Sequence, residues 1–132
     1  LIMARPYLGG SSASVETLAD NKSLGVGDSG KVFLIGTDAK VVTLPASAKG
    51  IEYTFVNIGA DGNNIITISP NASDAIHGTT CASTNVVLGG VDNKDLINTK
   101  ASAKTGDSCK LVGDGNVGWY MVSCTGIWAS EA

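Results

Sequence analysis

The chain has 132 residues, 43% of them hydrophobic and 16% charged, with a formal net charge of −3. This length fits one domain with its own core, and the scatter of the nine basic residues excludes a nucleic-acid-binding face. No apolar run approaches the roughly 18 residues of a membrane-spanning helix, so we expect no membrane partner. The 17 glycines and the frequent Ser, Thr and Asn favour strands joined by tight turns, and thus an all-β fold.

The first 27 residues differ from the rest because they are rich in Gly, Ser and Ala and show no sustained hydrophobic period. Pro6, Gly9 and Gly10 interrupt any regular element. We therefore predict an extended, flexible N-terminal arm over residues 1–27 and a single β domain over residues 28–132. Residues 1–10 contain no apolar stretch, so we expect no signal peptide. Leu1-Ile2 before Met3 leaves two alternatives: Met3 is the natural start, or the chain is a processing product.

Short β-branched segments follow the arm. Lys31–Gly36 and Val41–Pro45 predict two strands joined as a hairpin through the link Gly36–Lys40. Glu52–Ile58 alternates between apolar and polar residues, which indicates a half-buried strand. Turn residues at 59–64 then precede a further strand, Ile65–Ser69.

The second half of the chain has a weaker pattern at first and a clearer one later. Within Ala72–Lys104 we predict either three short strands or, for part of the stretch, a long loop. The three candidate strands lie at Ile76, Val86–Leu88 and Leu96–Ile97. Ser108–Gly113 and Trp119–Thr125 predict two strands joined as a hairpin at 114–118. Turns at intervals of about ten residues favour a small antiparallel β-barrel or sandwich.

The three cysteines, Cys81, Cys109 and Cys124, form no C-x-x-C pair. This predicts buried, reduced thiols in a protein made in a cytosol. Cys109 and Cys124 fall in adjacent predicted strands, which leaves a cross-strand disulfide open. A zinc site would need all three cysteines to converge with His77, the sole histidine, and no motif supports that arrangement. We expect no bound metal.

Residues Gly25–Gly30 match the pattern G-x-G-x-x-G, and with Lys31 they match most of a phosphate-binding P-loop. Both motifs need a strand before the glycines and a helix after them, because the helix N-terminus holds the phosphate. Here polar residues precede the glycines and the β-branched run from Val32 follows. We therefore interpret this segment as a turn and expect no cofactor.

Other candidate sites are equally weak. A nucleophile and base pair would need His77 near a Ser or Cys and oriented by a carboxylate, and the single short spacing to Cys81 in a Gly/Thr-rich loop does not indicate one. Asp61–Asn64 and Asp114–Asn116 lack the alternating oxygen ligands of a calcium loop and are interpreted as turns. We expect no catalytic residues. The large aromatic side chains are interpreted as core or subunit-interface residues: Phe33, Tyr53, Phe55, Trp119 and Trp128. A sugar-stacking platform of Trp119, Tyr120 and Trp128 is the alternative.

The order of several short segments carries a family resemblance. These segments are Ser29–Ile35, Val42–Pro45, Gly50–Val56, Ile66–Ile68, Asp107–Val112, Gly118–Tyr120 and Gly126–Trp128. Together they cover most of the chain from Ser29 to Trp128. In this order they resemble the head decoration, or capsid-stabilising, proteins of tailed bacteriophages, including marine siphoviruses. They are also similar to β-rich domains of phage tail and fibre proteins.

The resemblance implies a β-tulip-like domain that forms homotrimers on three-fold and quasi-three-fold sites of the outer capsid. Such trimers clamp neighbouring copies of the major capsid protein and stabilise the expanded shell of the virion. The protein would be made in the cytoplasm of the host bacterium. The arm segment Met3, Ala4, Arg5, Pro6, Tyr7 and Leu8 would contact the capsid, and the large aromatics would fill the core or the trimer interface. The alternative is a receptor- or glycan-binding domain of a tail fibre.

Overall fold

The computed structural model describes residues 14–79 and 87–131. Within these residues the chain forms twelve strands and two single-turn 3₁₀ helices, Val26–Asp28 and Lys100–Ser102. The strands in chain order are β1 (Val15–Leu18), β2 (Lys22–Ser23), β3 (Val32–Ile35), β4 (Lys40–Thr43), β5 (Glu52–Asn57), β6 (Ile66–Ser69), β7 (Ala75–Thr79), β8 (Val87–Gly89), β9 (Leu96–Asn98), β10 (Ser108–Gly113), β11 (Gly118–Thr125) and β12 (Trp128–Ser130). In this part of the chain no helix has the length and hydropathy needed to cross a membrane.

The strands form two sheets that enclose one hydrophobic core. The seven-stranded sheet has the order β1-β3-β5-β10-β11-β7-β8, and the five-stranded sheet has the order β12-β9-β6-β4-β2. The predicted all-β sandwich is therefore confirmed. Both sheets are mixed rather than purely antiparallel, because β1, β3 and β5 run parallel in one sheet and β2, β4 and β6 run parallel in the other.

The first six strands alternate between the two sheets, so that each consecutive pair forms one turn of a flattened coil. The predicted hairpin of Lys31–Gly36 with Val41–Pro45 is therefore wrong, since β3 and β4 belong to opposite sheets. The link between them bonds to the next turn of the coil: Ala39 N–H donates to Ile65 O (3.1 Å), and Ile65 N–H donates to Asp38 Oδ1 (2.9 Å). Each strand gains a parallel neighbour while its buried side chains face the shared core.

The predicted boundary between arm and domain at residue 27 also needs correction. β1 pairs with β3 and β2 pairs with β4, so residues 15–23 supply one strand to each sheet. Leu18 and Leu24 are buried in the core, with exposures of 6% and 5%. The burial of these two leucines and the pairing of β1 and β2 with core strands together hold a polar stretch in the fold. The part of the predicted arm at residues 1–13 lies outside the described residues.

The later strands agree better with the sequence pattern. Ile76 lies in β7 and Leu96–Ile97 lie in β9, while β8 covers Val87 and Leu88 of the predicted strand Val86–Leu88. Residues 80–86 lie outside the described part. β10 and β11 form the predicted hairpin, whose turn is held by Asp114 Oδ1 accepting from the N–H groups of Asn116 (2.8 Å) and Gly118 (3.0 Å).

A buried polar cluster joins the two sheets at one end of the core. The Asn57 Nδ2 amide on β5 donates to Asn98 Oδ1 on β9 (2.8 Å), and Asn98 Nδ2 donates to Asp107 Oδ2 (3.1 Å). Asn57 Oδ1 accepts from the N–H of Gly59 (2.9 Å). Because a buried polar group without a partner is costly, these bonds fix how the sheets face each other.

Candidate interaction surface

The structure places the glycine motif in a turn, as the sequence predicts. Val26–Asp28 form one 3₁₀ turn, and β3 follows it instead of a helix. Asp28 Oδ2 accepts from the Gly25 N–H (3.0 Å), and Tyr53 Oη donates to Gly25 O (2.6 Å). The Tyr53 bond holds the turn against the core strand β5, and both backbone polar groups of Gly25 are hydrogen-bonded within the fold.

The single histidine lies on β7 and stacks on Tyr120 of β11, with ring centroids 5.0 Å apart. Its Nε2 atom is buried without a hydrogen-bond partner. A Cβ on Gly90 would lie only 2.6 Å from His77 Cε1, so the imidazole is wedged between Tyr120 and that glycine. Cys81, its predicted neighbour in sequence, lies outside the described residues. Within the described ranges no three His, Cys, Asp or Glu side chains are grouped to hold a metal ion.

The predicted core aromatics lie between the two sheets. Phe33 stacks on Phe55 with ring centroids 5.8 Å apart, and Tyr53 contacts Trp119 at 5.7 Å. The exposed fractions of all five residues are at most 1%, and the five are Phe33, Tyr53, Phe55, Trp119 and Trp128. Of the three aromatics in the alternative sugar-stacking platform, Tyr120 alone is exposed, at 44%.

The side of the seven-stranded sheet that faces away from the core forms a regular surface. Its side chains lie in three rows given by the strand register, and we call these residues the outer face. The first row is Val15, Val32, Thr54, Lys110 and Ser123. The second row is Thr17, Leu34, Val56, Ser108 and Thr125. The third row is Glu52, Val112, Tyr120 and His77.

The outer face is poor in charge. Its two ionic side chains, Lys110 and Glu52, pair with each other at 3.4 Å (Nζ to Oε1). The remaining members are hydroxyl residues, the stacked histidine and six apolar residues, which are Val15, Val32, Leu34, Val56, Val112 and Tyr120. Depletion of charge with enrichment in apolar and aromatic side chains is typical of the centre of a protein–protein interface.

One feature of the sequence points to this face. β3 reads Val32-Phe33-Leu34-Ile35, an uninterrupted apolar run, although only Phe33 and Ile35 face the core. Strands covered on both faces have such runs, whereas strands with one solvent face alternate between apolar and polar residues. The two half-buried members, Val32 and Leu34, lie next to Thr54 and Val56 on β5. A second covering layer would explain the pattern.

β1 forms one edge of the seven-stranded sheet and carries a charge that points inward. Glu16 lies beside the core residue Phe33 in the register, so its side chain occupies the core side of the edge strand. There its carboxylate accepts from Lys22 Nζ and from Lys31 Nζ (3.1 Å), and Lys31 also binds Asp28 (2.9 Å). Through Lys22 and Glu16, this ion cluster links β2 of one sheet to β1 of the other.

The ion cluster shifts the titration of its members. Hydrogen bonds from Lys22 and Lys31 lower the pKa of Glu16 below its ordinary value. The Gly25 N–H and then Lys31 lower the pKa of Asp28, and the two carboxylates raise the pKa of Lys31. Inward-pointing charges on an edge strand oppose uncontrolled strand addition, so the cluster protects the edge at β1.

Comparisons with protein-family models, with curated proteins and with solved structures gave no match to this chain.

Proposed function

We propose that this chain is a structural virion protein, a homotrimeric decoration protein that binds the outer capsid and stabilises the expanded shell. The observation that carries the proposal is the outer face of the seven-stranded sheet. Six apolar side chains lie there in register, no layer of the described chain covers them, and the two charges present neutralise each other. This chemistry fits association with protein.

The dimensions of the outer face suit a subunit contact. The six strands that supply its rows lie about 4.8 Å apart and span about 24 Å, and the three rows cover about 15–20 Å along the strands. The resulting area, roughly 400 Å², is about half of the ~800 Å² that each partner buries in a standard interface. In a closed ring of three copies each contact is heterologous, so the outer face of one subunit would meet a different surface of the next.

The capsid as second partner rests on the resemblance of the segments between Ser29 and Trp128 to phage decoration proteins. The position of β1 is compatible with that role. Residues 1–13 enter the fold at β1, an edge strand that borders the outer face. A chain of 13 residues spans at most about 45 Å when extended. The residues that connect Met3–Leu8 to β1 would therefore let this segment reach a neighbouring subunit or the shell beneath.

The glycan-binding alternative has less support from the side chains. It needs several aromatic faces open to solvent, and both tryptophans are buried, at 0% and 1% exposure. The third, Tyr120, has one face against His77. We therefore favour a protein partner over a glycan.

The subunit contact is tested by a matched pair of substitutions. Val56→Lys places a charge in the middle of the outer face, while Val91→Lys makes the same change at an exposed position outside it. We expect the wild-type chain and Val91→Lys to be trimers by size-exclusion chromatography with light scattering. We expect Val56→Lys to be a monomer with an unchanged β-type circular dichroism spectrum. A trimeric Val56→Lys variant would contradict the assignment of this face.

The capsid role is tested separately by sedimentation. Expanded shells assembled from the major capsid protein of the same genome are mixed with the purified chain and pelleted. We expect the chain to pellet with the shells and to raise the temperature at which they disrupt. Imaging of the pelleted shells by electron cryomicroscopy should show density at three-fold sites. A chain that stays in the supernatant would contradict the capsid role while leaving the trimer intact.

A further inference from the structure

The strongest unassigned pairing of reactive groups lies in the β10–β11 hairpin. Cys109 on β10 and Cys124 on β11 are direct partners in the antiparallel register, and no disulfide joins them in the structure. Directly opposed residues point to the same face of a sheet. Cys109 is 1% exposed in the core, and Cys124 packs against the same core while it keeps partial exposure.

We propose that Cys109 and Cys124 are a site of reversible covalent modification, at which a small-molecule disulfide converts the two thiols into a cross-strand disulfide. The chemistry belongs to one hairpin of one chain and is independent of the proposed capsid role. The two cysteines have different roles in the reaction, because Cys109 is buried and Cys124 is partly exposed.

The backbone geometry permits the bond. Opposed residues in antiparallel strands have Cα atoms about 4.5 or 5.5 Å apart, and both distances lie in the 4.4–6.8 Å range of disulfides. Their Cβ atoms, about 4.5–5.5 Å apart, must approach by up to about 1 Å. A β-bulge between Lys110 and Leu111 lies next to Cys109. Bulges bend and twist a strand locally, which gives this pair room to adjust.

Exposure sets the order of the steps. Burial, and then the neighbouring Cys124, raise the pKa of the Cys109 thiol well above its ordinary value, so Cys109 is a poor first nucleophile. Cys124 is the accessible one. Its thiolate attacks one sulfur of oxidised glutathione, and a glutathione thiolate leaves. Cys109 then loses its proton and attacks Cys124 Sγ, which displaces the second glutathione. Two thiols lose two electrons, and one glutathione disulfide becomes two thiols.

The bond would lock the hairpin. It closes a loop of about 15 residues between the two strands at the centre of the seven-stranded sheet. Closure of such a loop restricts the unfolded chain and raises the melting temperature, here by on the order of 10 °C. The hairpin also carries Lys110, Val112 and Tyr120 of the outer face, so a locked hairpin would hold that surface more rigidly.

The test uses the full-length chain in native buffer with oxidised glutathione. Cys81→Ser removes the third cysteine, and Cys81→Ser combined with Cys124→Ala is the matched control. We expect Cys81→Ser to lose about 2 Da, as two hydrogens leave. Peptide mapping should link residue 109 to residue 124, and the melting temperature should rise until dithiothreitol reverses it. The control should show none of these changes.

The wild-type chain is mapped in parallel, so that the test stays decisive if either variant folds poorly. Two unmodified thiols after prolonged oxidation would overturn the proposal. So would a lasting glutathione adduct on Cys124 without the internal bond, or a bond that forms only in denaturant. Each of these results would show that the folded hairpin does not bring the two sulfurs together.

Discussion

Glu16 is a single residue that protects the edge strand β1 from pairing with a foreign strand. Its neighbours in the strand, Val15 and Thr17, face outward, while its own carboxylate lies on the core side between Lys22 and Lys31. A charge in that position is tolerated because two lysines satisfy it. The same charge makes the edge unattractive to a foreign strand, which would have to cover it.

The ion cluster predicts a specific acid dependence of stability. Glu16 and Asp28 have folded-state pKa values below their ordinary values of 4.5 and 3.8. Their contribution is therefore fully present above the unfolded-state values and is lost as the pH falls through the lowered folded-state values. We expect the urea midpoint of the wild-type chain to fall between pH 5 and pH 3, and Glu16→Gln to flatten this fall.

Two comparisons separate the cluster from general acid effects. Asp92→Asn changes an exposed carboxylate on a turn and should leave the wild-type slope unchanged. High salt should reduce the difference between Glu16→Gln and wild type, because these charges are partly solvent-exposed. If Glu16→Gln follows the wild-type curve from pH 5 to pH 3, the cluster contributes nothing to folding.

At the scale of residues, the sequence pattern predicts which side chains form the core but not which polar side chains contact each other. The aromatic positions follow from strand alternation, since Tyr53 and Phe55 lie two residues apart on one side of β5. Glu16 joins residues up to 15 positions away. Nothing in the local pattern around Glu16 indicates an inward orientation, because its partners are brought near by the coil of the first strands.

At the scale of elements, the contact of β11 with β7 depends on one glycine. Gly118 has φ 137°, and a Cβ there would lie 2.2 Å from the backbone oxygen of Ala75. Its parallel partner in the register is Ala75 itself. A side chain at this position would force the two strands apart where β7 joins the sheet.

Gly118→Ala should therefore destabilise the protein by about 3 kcal/mol or more, through both the clash and the unfavourable φ. Gly27→Ala is the matched control, since a Cβ there meets nothing within 4 Å. It should change the free energy of unfolding by no more than about 0.5 kcal/mol. Urea unfolding followed by the fluorescence of the two buried tryptophans measures the free energies of unfolding of both variants. Equal stabilities of Gly118→Ala and Gly27→Ala would contradict the close contact of β11 with β7.

The elements also show where sequence patterns mislead. Short β-branched segments separated by four residues are typical of a hairpin, yet β3 and β4 lie in different sheets. The local pattern specifies a strand and a turn, but not the sheet that each strand joins. Strand partners here depend on residues two strands further along the chain, as with β3 and β5 or β4 and β6. The β10–β11 hairpin was predictable because its partners are adjacent.

At the scale of the molecule, the coil of the first six strands explains why the sequence pattern of residues 15–23 is that of an arm although these residues belong to the two sheets. Their polar composition suits an edge, where each strand has one neighbour and half of its surface faces water. The outer face is hidden from local sequence patterns for a related reason. Its residues come from six strands, so it can be recognised only once the register is known, although the apolar run of β3 is one sign of it.

The revised boundary leads to a prediction with two deletions. Removing residues 1–13 leaves β1 in place and should change the free energy of unfolding by no more than about 0.5 kcal/mol. Removing residues 1–19 also deletes β1. This exposes the edge of β3 and loses the burial of Leu18, which alone is worth about 1.5–3 kcal/mol. We therefore expect the longer deletion to lose at least about 3 kcal/mol in urea unfolding.

The two deletions also separate folding from binding. If residues Met3–Leu8 contact the capsid, the 1–13 deletion should stay folded and trimeric but should no longer pellet with expanded shells. Wild-type pelleting by that variant would move the capsid contact to the domain itself. Equal stability of the two deletions would instead show that β1 is dispensable, and the arm would then extend past Leu18 as its composition first suggests.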